Sequence, residues 1–331
     1  MRIAVVGAGS WGTAFSRLIA RAGHETWLWA RRSSLAEQLR KRRENVNYLP
    51  GVNLPEENLG ITADLTLALA DSEAVFFAVP SFAMREVARK AHGAVDDSPR
   101  YIVNLAKGIE RDTFETMSQV LREEFDSNQI FTLSGPSHAE EVGRDYPTAI
   151  VLAGNLDQGE YLQEQISTDR FRVYLSADLE GVEYCGIIKN VIAIATGISE
   201  GLGFGDNTVG ALISRGLAEM VRFGEEQNLS KSTFFGLAGI GDLVATCTSD
   251  HSRNRSVGLR IGRGESVEEI EKSMEMVAEG LYSVRVIDEL AESRGVNMPL
   301  TGALSRIVEG ESTPGEEVDR MMTREFKVED I

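Results

Sequence analysis

At 331 residues the chain is long for a single core and comfortable for two domains. With 26% charged and 42% hydrophobic residues, its composition is that of a globular protein and excludes a disordered one. Lys and Arg number 34 against 51 Asp and Glu, a net charge of −17, so the surface at large is unsuited to nucleic acid or an anionic membrane, and any anionic substrate needs a local basic pocket.

The first predicted element is a short strand at 3–6. It runs into Gly7-Ala8-Gly9-Ser10-Trp11-Gly12 and then into a helix with an apolar stripe at Ala14, Leu18, Ile19 and Ala22. In such a strand-turn-helix Gly7 permits the tight turn, Gly9 lets the backbone approach a pyrophosphate, and Gly12 lets the helix pack closely on its strand. Free N–H groups at the helix start then hold the phosphates of NAD or NADP. A second strand follows at 26–29. Where a strict NAD site would place Asp or Glu, this chain has Arg31 and Arg32. Arginine there can pair with a ribose phosphate, which predicts acceptance of NADPH; both residues also suit exposed positions that start the next helix.

Further strands are predicted at 74–79, 101–105, 130–133, 149–153 and 171–175. They alternate with helical patterns and argue for a doubly wound, mostly parallel sheet over residues 1–180. Lys107, in Asn104-Leu105-Ala106-Lys107-Gly108, follows a strand end that opens onto the cofactor crevice, where it either orients a substrate or is an exposed loop lysine. Leu133-Ser134-Gly135-Pro136-Ser137-His138-Ala139 repeats that arrangement, so Ser137 or backbone N–H groups can meet substrate or cofactor. His138 invites a general-base role, but a single His after a turn is more often structural.

After Asp178 the strands stop, and residues 181–331 read as an all-helical domain. Long helices are predicted at 181–200 and 208–227, then shorter ones parted by Gly-rich turns, ending in the charged stretch 315–325. A nucleotide-binding domain joined to a helical one normally places substrate in the cleft between them. Lys189 stands among Cys185, Gly186, Ile192 and Ala193, small or apolar neighbours that desolvate an ammonium and bring it toward the working range of a proton donor. The alternative is a lysine whose stem lies on apolar surface with its head in solvent. Asp242 ends the glycine turn Gly239-Ile240-Gly241-Asp242, where it can fix Lys189, accept from a substrate hydroxyl or cap a helix. Ser252-Arg253-Asn254-Arg255 opens a helix through Val257, Leu259 and Ile261. Oriented N–H donors and a guanidinium there make either a phosphate site or a cap with surface charge.

Cys185 and Cys247 show neither metal-ligand spacing nor a disulfide framework and read as reduced thiols. Met1 leads straight into the first strand, without room for a signal peptide; together these features predict a cytoplasmic protein. The longest apolar stretch, 186–198, is short and broken by Lys189, so no membrane span is predicted.

In order along the chain, Gly7-Ala8-Gly9-Ser10-Trp11-Gly12, Ala106-Lys107-Gly108, Ser134-Gly135-Pro136-Ser137, Ile188-Lys189-Asn190-Val191-Ile192-Ala193, Ala238-Gly239-Ile240-Gly241-Asp242-Leu243 and Ser252-Arg253-Asn254-Arg255 closely resemble the bacterial-type NAD(P)-dependent glycerol-3-phosphate dehydrogenases. The resemblance covers residues 3 to about 300. It implies an N-terminal Rossmann domain, residues 1–180, an all-α substrate domain, residues 181–331, and reversible reduction of dihydroxyacetone phosphate to sn-glycerol 3-phosphate for glycerophospholipid synthesis. It makes Lys189 the catalytic acid/base, with Lys107 and Asp242 completing the catalytic set. Lys107, Gly135, Ser137, Lys189, Asp242, Ser252, Arg253 and Asn254 would bind substrate. Ser10, Trp11, Arg31, Arg32, Lys107, Ala139, Arg253, Val277 and Glu279 would meet the cofactor beside Gly7, Gly9 and Gly12; nothing in the residues themselves singles out Val277 or Glu279. No metal is needed, because an ammonium and hydrogen-bond donors can carry the developing charge. Such relatives are often homodimers, although the sequence has no apolar stripe that demands a partner. Two other activities fit less of the pattern: a dehydrogenase of similar architecture acting on a hydroxyacid or sugar acid, and a non-catalytic NADPH sensor.

Overall fold

The chain divides into two compact units, Met1–Glu180 and Gly181–Ile331. The computed structural model describes residues 1–95, 99–125, 129–274, 279–325 and 328. In the first unit the strands are β1 (Arg2–Val6), β2 (Glu25–Trp29), β3 (Glu44–Asn45), β4 (Leu49–Asn53), β5 (Leu59–Thr62), β6 (Ala74–Phe77), β7 (Tyr101–Asn104), β8 (Gln129–Ser134), β9 (Thr148–Ala153) and β10 (Phe171–Ser176). Eight of them form one sheet in the order β10-β9-β8-β7-β6-β1-β2-β5. Neighbours run parallel except at β8 and β9, which are antiparallel. Alternate residues of β1 feed the two faces: Ile3 and Val5 pack into one core, Ala4 and Val6 into the other. Both faces are therefore covered, which is why the strands read as unbroken apolar runs. This is the doubly wound, mostly parallel Rossmann arrangement, and its order reverses between β1 and β6.

Two features lie outside the sequence expectation. β5 is short and contains Gly60, a residue that weakens a strand signal, because a Cβ at that position would press on the Trp27 indole at 2.7 Å. The hairpin β3–β4 contains Pro50-Gly51, which reads as a turn in sequence yet lies within β4.

At each sheet margin a side chain bonds an outward carbonyl. At β10 the Val173 carbonyl accepts from Gln163 Nε2 at 2.8 Å, and Phe171 exchanges backbone bonds with Thr168. At β5 the Leu59 carbonyl accepts from Arg43 Nη1 at 3.1 Å.

In the second unit every regular element among the described residues is a helix. The helix Leu179–Gly201 is longer than the predicted stretch and is long and apolar enough to cross a membrane, but its apolar window is wholly buried inside the protein. It packs on the helix Arg253–Gly262 through facing glycines. A Cβ on Gly197 would overlap the Arg255 carbonyl, and one on Gly258 would overlap the Ile194 carbonyl, so the two backbones touch where side chains would hold them apart. The turn predicted at Gly239–Gly241 is instead helical: Gly241 N–H bonds the Gly236 carbonyl at 3.1 Å, and the wide turn Leu237–Gly241 continues into the helix Asp242–Thr248. Gly239 is required there by close approach, since a Cβ would overlap the Phe234 carbonyl.

Candidate active site

In the first unit the loops after β1, β7 and β8 leave the same, carboxyl edge of the sheet. Gly7 takes φ +120°, a conformation open to glycine, and its Cβ would collide with Ala78. Gly12 is forced by packing, because a Cβ there would overlap the Gly7 carbonyl. Gly9 differs: a Cβ would meet nothing within 4 Å. Gly9 is also the N-cap of the helix Ser10–Arg21, which has no side-chain cap and no acidic residue in its first turn. Open space in front of an uncapped helix start fits a dinucleotide pyrophosphate, so Gly7, Gly9, Ser10, Trp11 and Gly12 are suited to hold NAD or NADP. Asn45 supports the loop from behind, where its Nδ2 donates to the Ala8 carbonyl at 3.1 Å and to Thr13 Oγ1 at 2.7 Å.

Arg31 and Arg32 follow β2 and are both exposed. Arg32 is the N-cap residue of the helix Ser33–Arg42 without a side-chain cap bond; its guanidinium donates instead to the Tyr48 hydroxyl at 2.8 Å. Lys107 Nζ donates to the Gly135 carbonyl at 2.9 Å, and Ser137 Oγ donates to the same oxygen at 2.9 Å. Three predicted residues from two separate loops therefore meet at one acceptor. The Lys107 turn is shaped by buried Asn104, whose Oδ1 accepts from Ala106 N–H at 2.8 Å and whose Nδ2 donates to the Ala106 carbonyl and to Thr132 Oγ1. Ala139 begins the helix Ala139–Gly143, and His138 precedes it as the N-cap residue without a side-chain cap bond.

In the second unit Lys189 is buried inside the helix Leu179–Gly201 rather than reaching solvent. Its Nζ donates to Asp242 Oδ1 at 2.9 Å and to Thr246 Oγ1 at 2.7 Å. Thr246 in turn donates to the Asp242 carbonyl at 2.7 Å. The apolar surroundings foreseen for the ammonium are thus supplemented by a carboxylate and a hydroxyl, and the charge is buried as one member of a compensated pair. Thr246 went unnoticed in the sequence; its position four residues after Asp242 on one helix face was the available signal. Next to this group, burial pushes the Cys247 thiol up to about 12.

Ser252 caps the helix Arg253–Gly262, its Oγ accepting from Arg255 N–H at 3.2 Å. Arg253 and Asn254 stand in the first turn of that helix, where backbone amides point outward along the axis. Asn254 Oδ1 accepts from Gly280 N–H at 3.0 Å, which brings the start of the helix Glu279–Ser293, and with it Glu279, beside this turn. Val277 lies outside the described residues. Arg255, grouped with the phosphate donors in the sequence, is turned elsewhere and pairs with Glu200 at 2.7 Å and Asp250 at 3.0 Å.

A doubly wound sheet with an open, uncapped glycine-loop helix, on one chain with a helical unit that buries an ammonium beside a carboxylate, defines an NAD(P)-dependent oxidoreductase. Comparison with known proteins narrows the class. Residues 2–159 match the N-terminal domain of NAD-dependent glycerol-3-phosphate dehydrogenase and residues 178–319 match its C-terminal domain. The chain belongs to that family. A relative from Pelotomaculum thermopropionicum, named glycerol-3-phosphate dehydrogenase, NAD(P)+, is 46% identical over 98% of this chain and 93% of its own. One of the same name from Chlorobium phaeobacteroides is 47% identical over 99% of both chains. The crystal structure of glycerol-3-phosphate dehydrogenase from Coxiella burnetii superposes with a TM-score of 0.93 at 38% identity, covering 98% of this chain and 99% of that one. D-mandelate dehydrogenase, at 13% identity and a TM-score of 0.65, shares the fold alone.

Proposed function

We propose that this chain reversibly reduces dihydroxyacetone phosphate to sn-glycerol 3-phosphate, using NADPH or NADH, in glycerophospholipid synthesis. The observation that carries this reading is the buried Lys189 ammonium held by Asp242 and Thr246, on the motifs of a family whose relatives bear that activity in their names. A bound reduced nicotinamide would supply the hydride. Lys189 Nζ protonates the oxygen of the reacting carbonyl and takes the proton back in the reverse direction. Asp242 and Thr246 hold the ammonium in a fixed orientation, and Asp242 favours its charged form, so that a proton given up to the substrate is regained from solvent. Lys107, whose Nζ meets the Gly135 carbonyl together with Ser137 Oγ, adds a cation for the substrate. The amides of Arg253 and Asn254, the Arg253 guanidinium and Ser252 hold the phosphate, as an anion at a helix start.

A cytoplasmic location belongs to the same reading, supported by the two free thiols Cys185 and Cys247. So does a homodimer, which the mass in solution tests. The deciding experiment mixes purified protein with dihydroxyacetone phosphate and follows loss of NADPH and NADH absorbance in parallel. Rapid oxidation supports the reading; silence with both dinucleotides, despite demonstrable NADPH binding, moves it to another ketone or to a sensor.

A further inference from the structure

The hairpin β3–β4, invisible in the sequence, touches both ends of the dinucleotide site. Asn45, in β3 and fully buried, holds the Ala8 carbonyl of the glycine loop. Three residues on, Tyr48 donates its backbone N–H to the Asn45 carbonyl at 3.2 Å, packs its ring against the core, and accepts the Arg32 guanidinium on its hydroxyl at 2.8 Å. Gly51 N–H, donating to Glu44 Oε1 at 2.8 Å, closes the turn between them.

We infer that Tyr48 is a specificity-determining residue for the cofactor: it holds Arg32 in place to receive the ribose 2′-phosphate of NADPH. This rests on the dinucleotide reading of the glycine loop. Arg32 is otherwise an exposed side chain with many rotamers, and ordering it on the phosphate would cost conformational entropy. Tyr48 is anchored by its ring and by a backbone bond to Asn45, so the hydroxyl is a fixed post that orders the guanidinium before the ligand arrives. A guanidinium held in this way turns its remaining N–H groups toward a phosphate oxygen. NADH has no such oxygen. The pair thus acts on the difference between the two dinucleotides, while Asn45 acts on the part they share.

The test is a fluorescence titration of the purified chain with NADPH and with NADH, with no ketone present. In the unaltered chain NADPH should bind more tightly than NADH. Tyr48→Phe keeps the packed ring and removes only the acceptor, and should cut the NADPH preference about three- to tenfold. Arg32→Ala should remove the preference, and in that background Tyr48→Phe should have no further effect on it. A Tyr48→Phe variant that weakens both dinucleotides in parallel, or keeps its full effect without Arg32, overturns the inference and leaves Tyr48 a packing residue. Failure of the unaltered chain to bind either dinucleotide would instead overturn the cofactor reading beneath it.

Discussion

Lys189 Nζ lies 2.9 Å from Asp242 Oδ1 with side-chain exposures of 7% and 3%, so each charge depends on the other for its place in the interior. Removing one partner strands the other without water, at a cost of about 3–5 kcal/mol. Lys189→Ala should therefore lower the melting temperature as well as turnover, and should reduce turnover far more than NADPH binding. The double variant Lys189→Met/Asp242→Leu should recover much of the lost stability while staying inactive. Calorimetry and single-turnover kinetics on the three proteins separate the two effects.

Thr246→Val keeps the shape of the side chain and removes the hydroxyl that accepts from Lys189. A hydrogen bond to a charged group contributes about 1.5–3 kcal/mol, so kcat should fall roughly ten- to a hundredfold. Thr246→Ser should restore most of it, measured in the same assay.

Gly9 and Gly12 lie three residues apart and should respond oppositely. Gly12→Ala drives a methyl into the Gly7 carbonyl and should destabilise the first unit by about 1–3 kcal/mol, read by chemical denaturation. Gly9→Ala meets only open space and should change stability by less than about 1 kcal/mol. Its methyl stands where a pyrophosphate would approach, so the dissociation constant for either dinucleotide should rise roughly ten- to a hundredfold as phosphate–amide bonds are lost.

Glu317 is buried and accepts from Arg306 at 2.9 and 2.7 Å, from Arg320 at 2.8 Å and from Ser312 at 2.7 Å. The Arg306 hydrogen bond is the main cause that holds its carboxyl down at about 2. A folded value below the unfolded one adds stability that is complete above about pH 4.5 and is lost as the pH falls through about 2. Its size is roughly 3 kcal/mol. Glu317→Gln should flatten the acid limb of the stability curve across that window, monitored by denaturation from pH 5 to pH 2.

Burial of both thiols makes a chemical prediction. Cys247, pushed up to about 12, carries no useful thiolate at pH 8, and Cys185 is enclosed where a reagent cannot reach it. Iodoacetamide should leave both unlabelled in the native protein and modify both after unfolding, as read by intact mass.

The glycine loop was legible because its three glycines answer to local requirements: a positive φ at Gly7, backbone contact at Gly12 and open space at Gly9. Lys189 was legible from its apolar helical neighbours, but Thr246 was not, because a threonine announces no role until the helix Asp242–Thr248 is known to face the lysine. Arg255 misled through proximity: close to Arg253 it looks like part of the same phosphate site, yet two residues of helical rotation are enough to aim it at Glu200. The strand β5 and the hairpin β3–β4 were hidden by Gly60 and by Pro50-Gly51, whose local preferences oppose the structure that tertiary contacts impose. Tyr48 and Asn45 went unremarked for the same reason, since their roles exist only once the hairpin brings them to Arg32 and Ala8.

The side-chain bonds at the sheet margins have a consequence for the protein among its own copies. A Rossmann sheet ends in two strands whose outward carbonyls could template another chain. Here Gln163 occupies the one at Val173 and Arg43 the one at Leu59, each with a long polar side chain already committed to the backbone. A copy that meets either edge finds that carbonyl already taken, so its ladder would start with a missing rung.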